Sequence, residues 1–408
     1  MARARRAQRE PRTLLLARRV FTGIGDAPIA GGGVLVEGDR ILAAGKKPAV
    51  ERLARGAHVI DFGDRSLLPG LMNLHAHLDS EGDPDFLTAV KLIDEQTSTL
   101  LAVDSARQSV RAGATTVRDL GNKYAVAIAV RDAIGKGWVE GPRILAAGKV
   151  VCMTGGHGWF IGYESDGPHE MRKAVRQNLK LGADCIKVIA SGGVLSPGVE
   201  VGAAQLDEDE LTVAVREAHK AGRRVAAHAI ANAGIKNALR AGVDTIEHGC
   251  FLDDEAVQMM KKAHAWFVPT LCAPHALYAH RDAVAPYAAR KTVQVYDAHR
   301  ESFKLALRKG VQIACGTDAG TPFNRHADFA LELALMAGLG MPPEHALRAA
   351  TSDAAKAAGI EQETGSLVEG KCADLVVADG DPRRDIATLQ RVVAVMARGR
   401  WAKSGQNA

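Results

Sequence analysis

Two periods govern the apolar residues of this chain, and they occupy different regions. Near the start, Leu14-Leu15-Leu16 and Gly33-Val34-Leu35-Val36 are short apolar runs, the second followed by Ile41-Leu42-Ala43-Ala44 after Glu37-Gly38-Asp39-Arg40. A polar, glycine-containing tetrapeptide between two apolar runs predicts a hairpin turn. His58-Val59-Ile60-Asp61 predicts another strand, and Gly365-Ser366-Leu367, Ala373 to Ala378 and Val392 to Met396 repeat the pattern near the other end. β-structure at both ends predicts one small β-sandwich built from residues 13–64 and 362–408.

The middle of the chain, residues 65–361, alternates short apolar runs with helical periodicity. The runs are 66–77, 114–119, 142–147, 184–189, 224–228, 244–248, 265–270 and 311–318. Helical spacing fills the gaps, as over 208–220, 233–241, 253–263 and 326–336, and several helices end in a glycine (Gly113, Gly182, Gly222, Gly242, Gly310) just before the next run. Such glycines are the usual helix C-cap. Eight strand–helix units predict an α/β fold of the (β/α)8 TIM-barrel kind. The alternative is an open doubly wound sheet, but no Gly-x-Gly-x-x-Gly follows a first strand.

Length and composition agree with a barrel carrying an accessory module. The chain has 408 residues, 47% hydrophobic and 24% charged, the balance of an ordinary soluble globular protein. Its formal net charge is only +5, and much of that lies in Arg3, Arg5, Arg6, Arg9 and Arg12. Residues 1–12 are expected to be a disordered basic tail rather than a nucleic-acid arm, because no binding motif or aromatic interleaving accompanies it. Arg5-Arg6 is followed by an apolar run too short for a signal sequence. No run approaches the ~18 apolar residues of a membrane helix. A cytoplasmic location without membrane or nucleic-acid partners is expected, although a removed upstream signal stays open. Six cysteines are scattered without a Cys-x-x-Cys pair, which argues against a disulfide framework or a zinc knuckle.

The chemistry concentrates at strand ends. His75 and His77 stand two apart, and on a strand residues i and i+2 share a face, so both imidazoles can meet one metal ion. Active sites of such barrels lie at the C-terminal ends of the strands. Lys187 lies inside the fourth run, His228 and His248 end the fifth and sixth, and Asp318 ends the eighth. Each has a plain alternative, a satisfied histidine or a helix N-cap, but six on one barrel mouth point to a metal centre. A buried lysine cation is costly, and a neutral amine can react with CO2 to give a carbamate that bridges two metals ~3.5–4 Å apart. A lysine paired with a buried carboxylate is the plain alternative.

These residues lie in motifs that resemble the amidohydrolase superfamily, in its binuclear branch with a carboxylated lysine. The matching segments are 69–77 (ending His75-Ala76-His77), Thr154-Gly155-Gly156-His157-Gly158, Ile186-Lys187-Val188, Ala227-His228-Ala229, Ile246-Glu247-His248-Gly249, 316–322 and 365–376. Within the superfamily the chain is similar to imidazolonepropionase-related and prolidase-like enzymes, including the type that hydrolyses ochratoxin. The resemblance implies two Zn2+ per chain. His75, His77 and Asp318 would hold one, His228 and His248 the other, and N6-carboxylated Lys187 would bridge them with a hydroxide. Asp318 would move the proton, and His157 would lean on the substrate carbonyl. The implied reaction is cleavage of an amide bond in an N-acyl amino acid or dipeptide with a free C-terminal carboxylate, ochratoxin-like aromatic amides included.

Candidates for that carboxylate are His275, Arg325, Lys149 and Arg118, with His157 as a further substrate contact. One departure is Ile230, where relatives often carry a polar residue. It indicates a more apolar substrate, which Trp159 and Phe160 would also suit. The rival readings are a cyclic-amide hydrolase of the imidazolonepropionase or hydantoinase type, a deaminase, and a non-catalytic scaffold. Lys187 argues against the deaminase and the complete ligand set against the scaffold. The resemblance also implies a homo-oligomer, dimer to octamer.

Overall fold

The computed structural model describes residues 11–404. The basic tail expected over 1–12 therefore lies outside the described residues except at its end. There Arg12 opens the first strand, Arg12–Val20, and pairs with Glu37 at 2.7 Å.

The two chain ends share one sheet. Its order runs Arg400–Lys403, Val392–Ala397, Leu375–Ala378, Ser66–Pro69, Arg12–Val20, Ile29–Glu37, Arg40–Lys46, with His58–Asp61 also beside Arg12–Val20. Period-two alternation sorts its residues. Leu15, Val34, Val36, Leu67, Leu375 and Val377 pack on one face. Leu14, Leu16 and Leu35 pack on the other, against Val50 of the helix Lys47–Leu53. The expected sandwich is thus hydrogen-bonded as one continuous sheet. The reason is Ser66–Pro69, which pairs Leu67 with Val20 on one side and Leu68 with Val376 on the other. This segment is not the start of a barrel strand, as the run 66–77 suggested. The run breaks at Gly70, where the backbone comes so close to Thr115 that a Cβ would collide with it.

The central part is a mixed α/β arrangement of the TIM-barrel type. Leu71–Ala76, Ala114–Asp119 and Arg143–Ala146 form a parallel three-stranded sheet. Val150–Cys152, Cys185–Ile189, Arg224–Ala229, Thr245–His248 and Trp266–Val268 form a second parallel run, with Gly162–Glu164 at its edge. The ladder does not close continuously. At one seam the Asp184 N–H donates to the Ala146 carbonyl at 2.8 Å.

At the other seam, residues 311–318 touch both neighbours through isolated bonds. Phe267 N–H donates to Gln312, Leu74 N–H to Cys315 and Asp318 N–H to His75, at 2.8–2.9 Å. The eighth strand expected there is therefore only a bridge, Phe267 with Ile313. Gly316 packs tightly against Val268 and His75, and Asp318 turns to φ 59°, which ends any extended run.

The helix Glu208–Lys220 forms as expected, opened by a capping box between Asp207 and Glu210. The pattern expected over 326–336 splits into a 3₁₀ turn, His326–Asp328, and the helix Ala330–Gly338. The helix that matters most for the site, Pro286–Arg308, stands out less in the sequence. It turns Thr292, Val295 and His299 toward the barrel mouth. No helix among the described residues is long and apolar enough to cross a membrane.

Candidate metal centre

Strand periodicity delivers the first two donors. On Leu71–Ala76 the alternate residues Asn73 and His75 share a face, and His77 follows one residue past the strand. Lys187 sits mid-strand in Cys185–Ile189, His228 near the end of Arg224–Ala229, and His248 at the end of Thr245–His248. The imidazoles form a chain. Ring centroids are 5.5 Å apart for His75 and His77, 4.9 Å for His75 and His248, and 4.5 Å for His228 and His248. Asp318 Oδ1 lies 3.4 Å from His75 Nε2 and 3.2 Å from His77 Nε2. The Lys187 amine is 3.4 Å from His75 Nε2. Donor atoms of His75, His248 and Asp318 all fall within 4.8 Å of one another, the spacing of a cation site.

The opposite ring nitrogens are held from outside. His75 Nδ1 is 2.8 Å from Glu247 Oε2, His77 Nδ1 is 2.7 Å from the Gly121 carbonyl, and His248 Nδ1 is 2.7 Å from Thr270 Oγ1. Acceptors behind Nδ1 leave Nε2 unprotonated and aimed at the centre, the state a metal ligand needs. Glu247 is itself bound by Arg118 Nη2 at 2.8 Å, and Arg118 Nε donates to the Leu74 carbonyl at 2.6 Å. The backbone is strained where it aims these groups. His248, Thr270 and Asp318 have φ of 70°, 56° and 59°. Such conformations cost about 1–3 kcal/mol each for side chains with a Cβ and concentrate at functional sites.

Burial and mutual repulsion keep His75, His228 and His248 neutral. His75, His228 and His248 are all pushed well below the usual imidazole range by burial first, and then by Lys187, His157 and His75 respectively. His77 goes the other way: burial opposes its proton, but the hydrogen bond and charge of Asp318 raise it. Asp318 is held below the carboxylate range by the His75 and His77 charges, against burial. Burial lowers Lys187 to about 8. The donor set therefore fits a divalent cation, because imidazoles held largely neutral, an ionised carboxylate and a readily neutralised amine converge on one centre.

The Lys187 shift has a sign that can be checked. A lysine at ~10.4 in the unfolded chain and about 8 in the fold binds fewer protons when folded. Its burial penalty is full below pH 8 and fades as pH rises toward ~10.4. Lys187→Met should therefore stabilise the metal-free protein at pH 7 and give a smaller gain at pH 9.5, read from urea midpoints. An equal gain at both pH values would contradict the shift.

The donors line the floor of a cavity. Its walls are mostly apolar and include Phe86, Phe160, Leu195, Ile230, Leu277 and Val295. Ile230 and Phe160 are where the sequence reading expected apolar contacts, whereas Trp159 lies outside, under the Lys91 ammonium at 4.9 Å. His157 is on the wall with its ring 4.4 Å from His228.

The carboxylate candidates fare differently. Arg325 is exposed and His275 packs behind the wall beside Tyr296 and Arg300; neither lines the cavity. The Lys149 amine sits 5.2 Å over Tyr163. Arg118 is buried against Glu247 and does not pair with its neighbour Asp119, whose carboxylate accepts from the Leu78, Gly121 and Asn122 nitrogens. The non-ligand polar side chains on the wall are His157, Thr270, Thr292, His299 and Thr321, among the described residues. Of these the sequence reading found only His157. The six cysteines are all buried free thiols, and Cys250 lies on the wall.

Clustered histidines, a lysine and an aspartate at the strand ends of a TIM-barrel-type α/β arrangement form a candidate metal site of the kind metal-dependent hydrolases use. The chain belongs to the amidohydrolase family, whose model matches residues 66–402. Ochratoxinase of Aspergillus niger is 31% identical over 360 residues, 81% of this chain and 73% of that protein. Its crystal structure superposes with a TM-score of 0.88 at 27% identity, covering 98% of this chain and 97% of that one. A crystal structure of a Xaa-Pro dipeptidase with bound methionine also gives 0.88, at 34% identity, covering 96% of this chain and 100% of that one. Imidazolonepropionase of Symbiobacterium thermophilum is 26% identical over 385 residues, 86% of this chain and 85% of that protein.

Proposed function

We propose that this chain is a binuclear zinc hydrolase that cleaves amide bonds in N-acyl amino acids or dipeptides, aromatic amides of the ochratoxin kind among them. The observation that carries the reading is six donor side chains converging at the floor of a largely apolar cavity. The similarity to ochratoxinase and to a Xaa-Pro dipeptidase supports the same bond type.

His75, His77 and Asp318 would hold one ion, His228 and His248 the other, with the carboxylated Lys187 between them. Zinc bound there would supply a hydroxide near neutral pH and polarise the substrate carbonyl. The residues do the rest. Burial keeps part of Lys187 uncharged, and its amine adds to CO2: the Nζ–C bond forms, one proton leaves to solvent, and a negative carbamate results. The Asp318 carboxylate accepts the remaining proton of the attacking hydroxide and passes it to the leaving nitrogen. His157 donates to the carbonyl oxygen as charge develops there. Phe86, Phe160 and Ile230 exclude water and pack against an aromatic or aliphatic substituent.

The test is amino-acid release by zinc-loaded protein from matched substrates. N-benzoyl-phenylalanine should exceed N-acetyl-phenylalanine in kcat/KM by about 10-fold or more, since burying a ring in place of a methyl contributes at least ~1.4 kcal/mol. The likeness to imidazolonepropionase favours a cyclic amide as the second reading. Turnover of a hydantoin with none of the linear amides would select it.

A further inference from the structure

Behind His157 lies a hydrogen-bonded device that the reaction as described does not use. Residues 191–200 pass over the cavity, and two of their groups clamp the His157 ring. Ser196 Oγ is 2.8 Å from His157 Nδ1. Gly193 packs flat against the ring, so that a Cβ there would collide with it. The His157 backbone N–H is fixed separately, donating to Gln205 Oε1 at 2.9 Å.

Ser196 is fully buried, and its hydroxyl has one proton and two lone pairs to satisfy. The Gly158 N–H donates to Oγ at 3.3 Å, which occupies a lone pair. Among the described residues the hydroxyl proton has one acceptor within reach, His157 Nδ1. A buried hydroxyl left without an acceptor costs about 1–3 kcal/mol. The hydrogen bond therefore runs from Ser196 to Nδ1, and the ring proton sits on Nε2. The loop that carries Ser196 is held in turn by Lys291 of the helix Pro286–Arg308. The buried Lys291 ammonium donates to the Ser196 carbonyl at 2.6 Å and to the Gly193 carbonyl at 3.3 Å. One lysine thus ties down both residues that clamp the ring.

We infer that Ser196 is a positioning residue that fixes His157 as the Nε2–H tautomer, and that Lys291 holds the 191–200 loop in the register this requires. His157 then meets a developing negative charge as a neutral donor already oriented, with no proton or rotamer to rearrange. The inference rests on the reading of His157 as the donor to the substrate carbonyl, but the tautomer itself can be read without any substrate.

The test uses 15N-histidine NMR of the zinc-loaded protein, with the His157 ring signals assigned by their loss in His157→Gln. Wild type should show Nε2 protonated and Nδ1 carrying a lone pair. Ser196→Ala should shift His157 to a tautomer mixture and lower kcat by about 10–100-fold with KM changed less than about 3-fold, part of the about 100–10,000-fold that a positioned acid–base group contributes. Lys291→Met, which removes the tether without touching His157, should shift the tautomer in the same direction to a smaller extent. A wild-type ring protonated at Nδ1, or a tautomer unchanged in Ser196→Ala, would overturn the inference whether or not the protein is active. The expected tautomer with kcat unchanged in His157→Gln would instead remove His157 from the proposed reaction and leave the tautomer assignment standing.

Discussion

Lys187→Met is expected to bind well under half the zinc of wild type and to turn over amide substrates about 1000-fold more slowly. Every residue of Cys185–Ile189 is buried, so the lysine side chain has nowhere to go but the floor of the cavity. Its amine lies 3.4 Å from His75 Nε2. In the metal-free protein it is a cation among imidazoles, opposed by burial and attracted by the Glu247 and Asp318 charges. As a carbamate it would become an anionic bridge, which is the charge two divalent ions need. Methionine is similar in volume and cannot be carboxylated, so the variant removes the bridge without opening a cavity. A loss of several kcal/mol of transition-state stabilisation corresponds to about three decades in rate. Metal content per chain, by elemental analysis alongside intact mass, checks it. Full zinc and full activity in Lys187→Met would make the lysine structural.

Glu247→Gln should cost about 3–5 kcal/mol of unfolding free energy and weaken zinc binding about 10–100-fold. Glu247 is fully buried and serves three partners with its two oxygens, the Thr245 hydroxyl donating to Oε1. Oε1 takes the Arg118 guanidinium at 2.8 Å, and Oε2 takes His75 Nδ1 at 2.8 Å. Arg118 also donates to Thr245 Oγ1 at 3.2 Å and to the Leu74 carbonyl. The network joins three strands, Leu71–Ala76, Ala114–Asp119 and Thr245–His248, across the barrel interior. Removing the negative charge leaves a buried guanidinium uncompensated and weakens the acceptor that fixes the His75 tautomer. Denaturant unfolding and competition for zinc with a chelator read the two effects separately. The double variant Arg118→Met/Glu247→Leu should regain stability, because no buried charge is left alone, but not zinc affinity, because His75 Nδ1 still lacks its acceptor. Zinc affinity unchanged in both would refute the positioning role.

How far the site could be seen in the sequence depended on which residues carry a spacing signal. His75 and His77 stand two apart near a strand end, and the period of a strand puts both on one side. Lys187, His228, His248 and Asp318 were visible because each interrupts or ends an apolar run. Glu247 sits in plain view beside His248, yet its role depends on a partner on a strand 172 residues away. Ser196 and Lys291 are ordinary residues of a loop and a helix, and only the packing of that helix over the cavity gives them meaning. Arg325, His275 and Arg118 stand out in the sequence only by their charge. Charge does not specify direction, and the barrel points them elsewhere. The run 311–318 looked like a full strand because its composition is apolar, but a glycine packed against His75 and the turn at Asp318 confine it to single bridges.

Gly70 carries a mechanical consequence. Its N–H donates to the Asp374 carbonyl in the terminal sheet at 2.8 Å, and the very next residue, Leu71, donates to the Gly113 carbonyl in the barrel at 3.0 Å. The strand that bears His75 is therefore spliced end to end onto the small module, with no slack in between. A rod fixed at both ends does not act as a hinge, and the module cannot swing to admit a substrate.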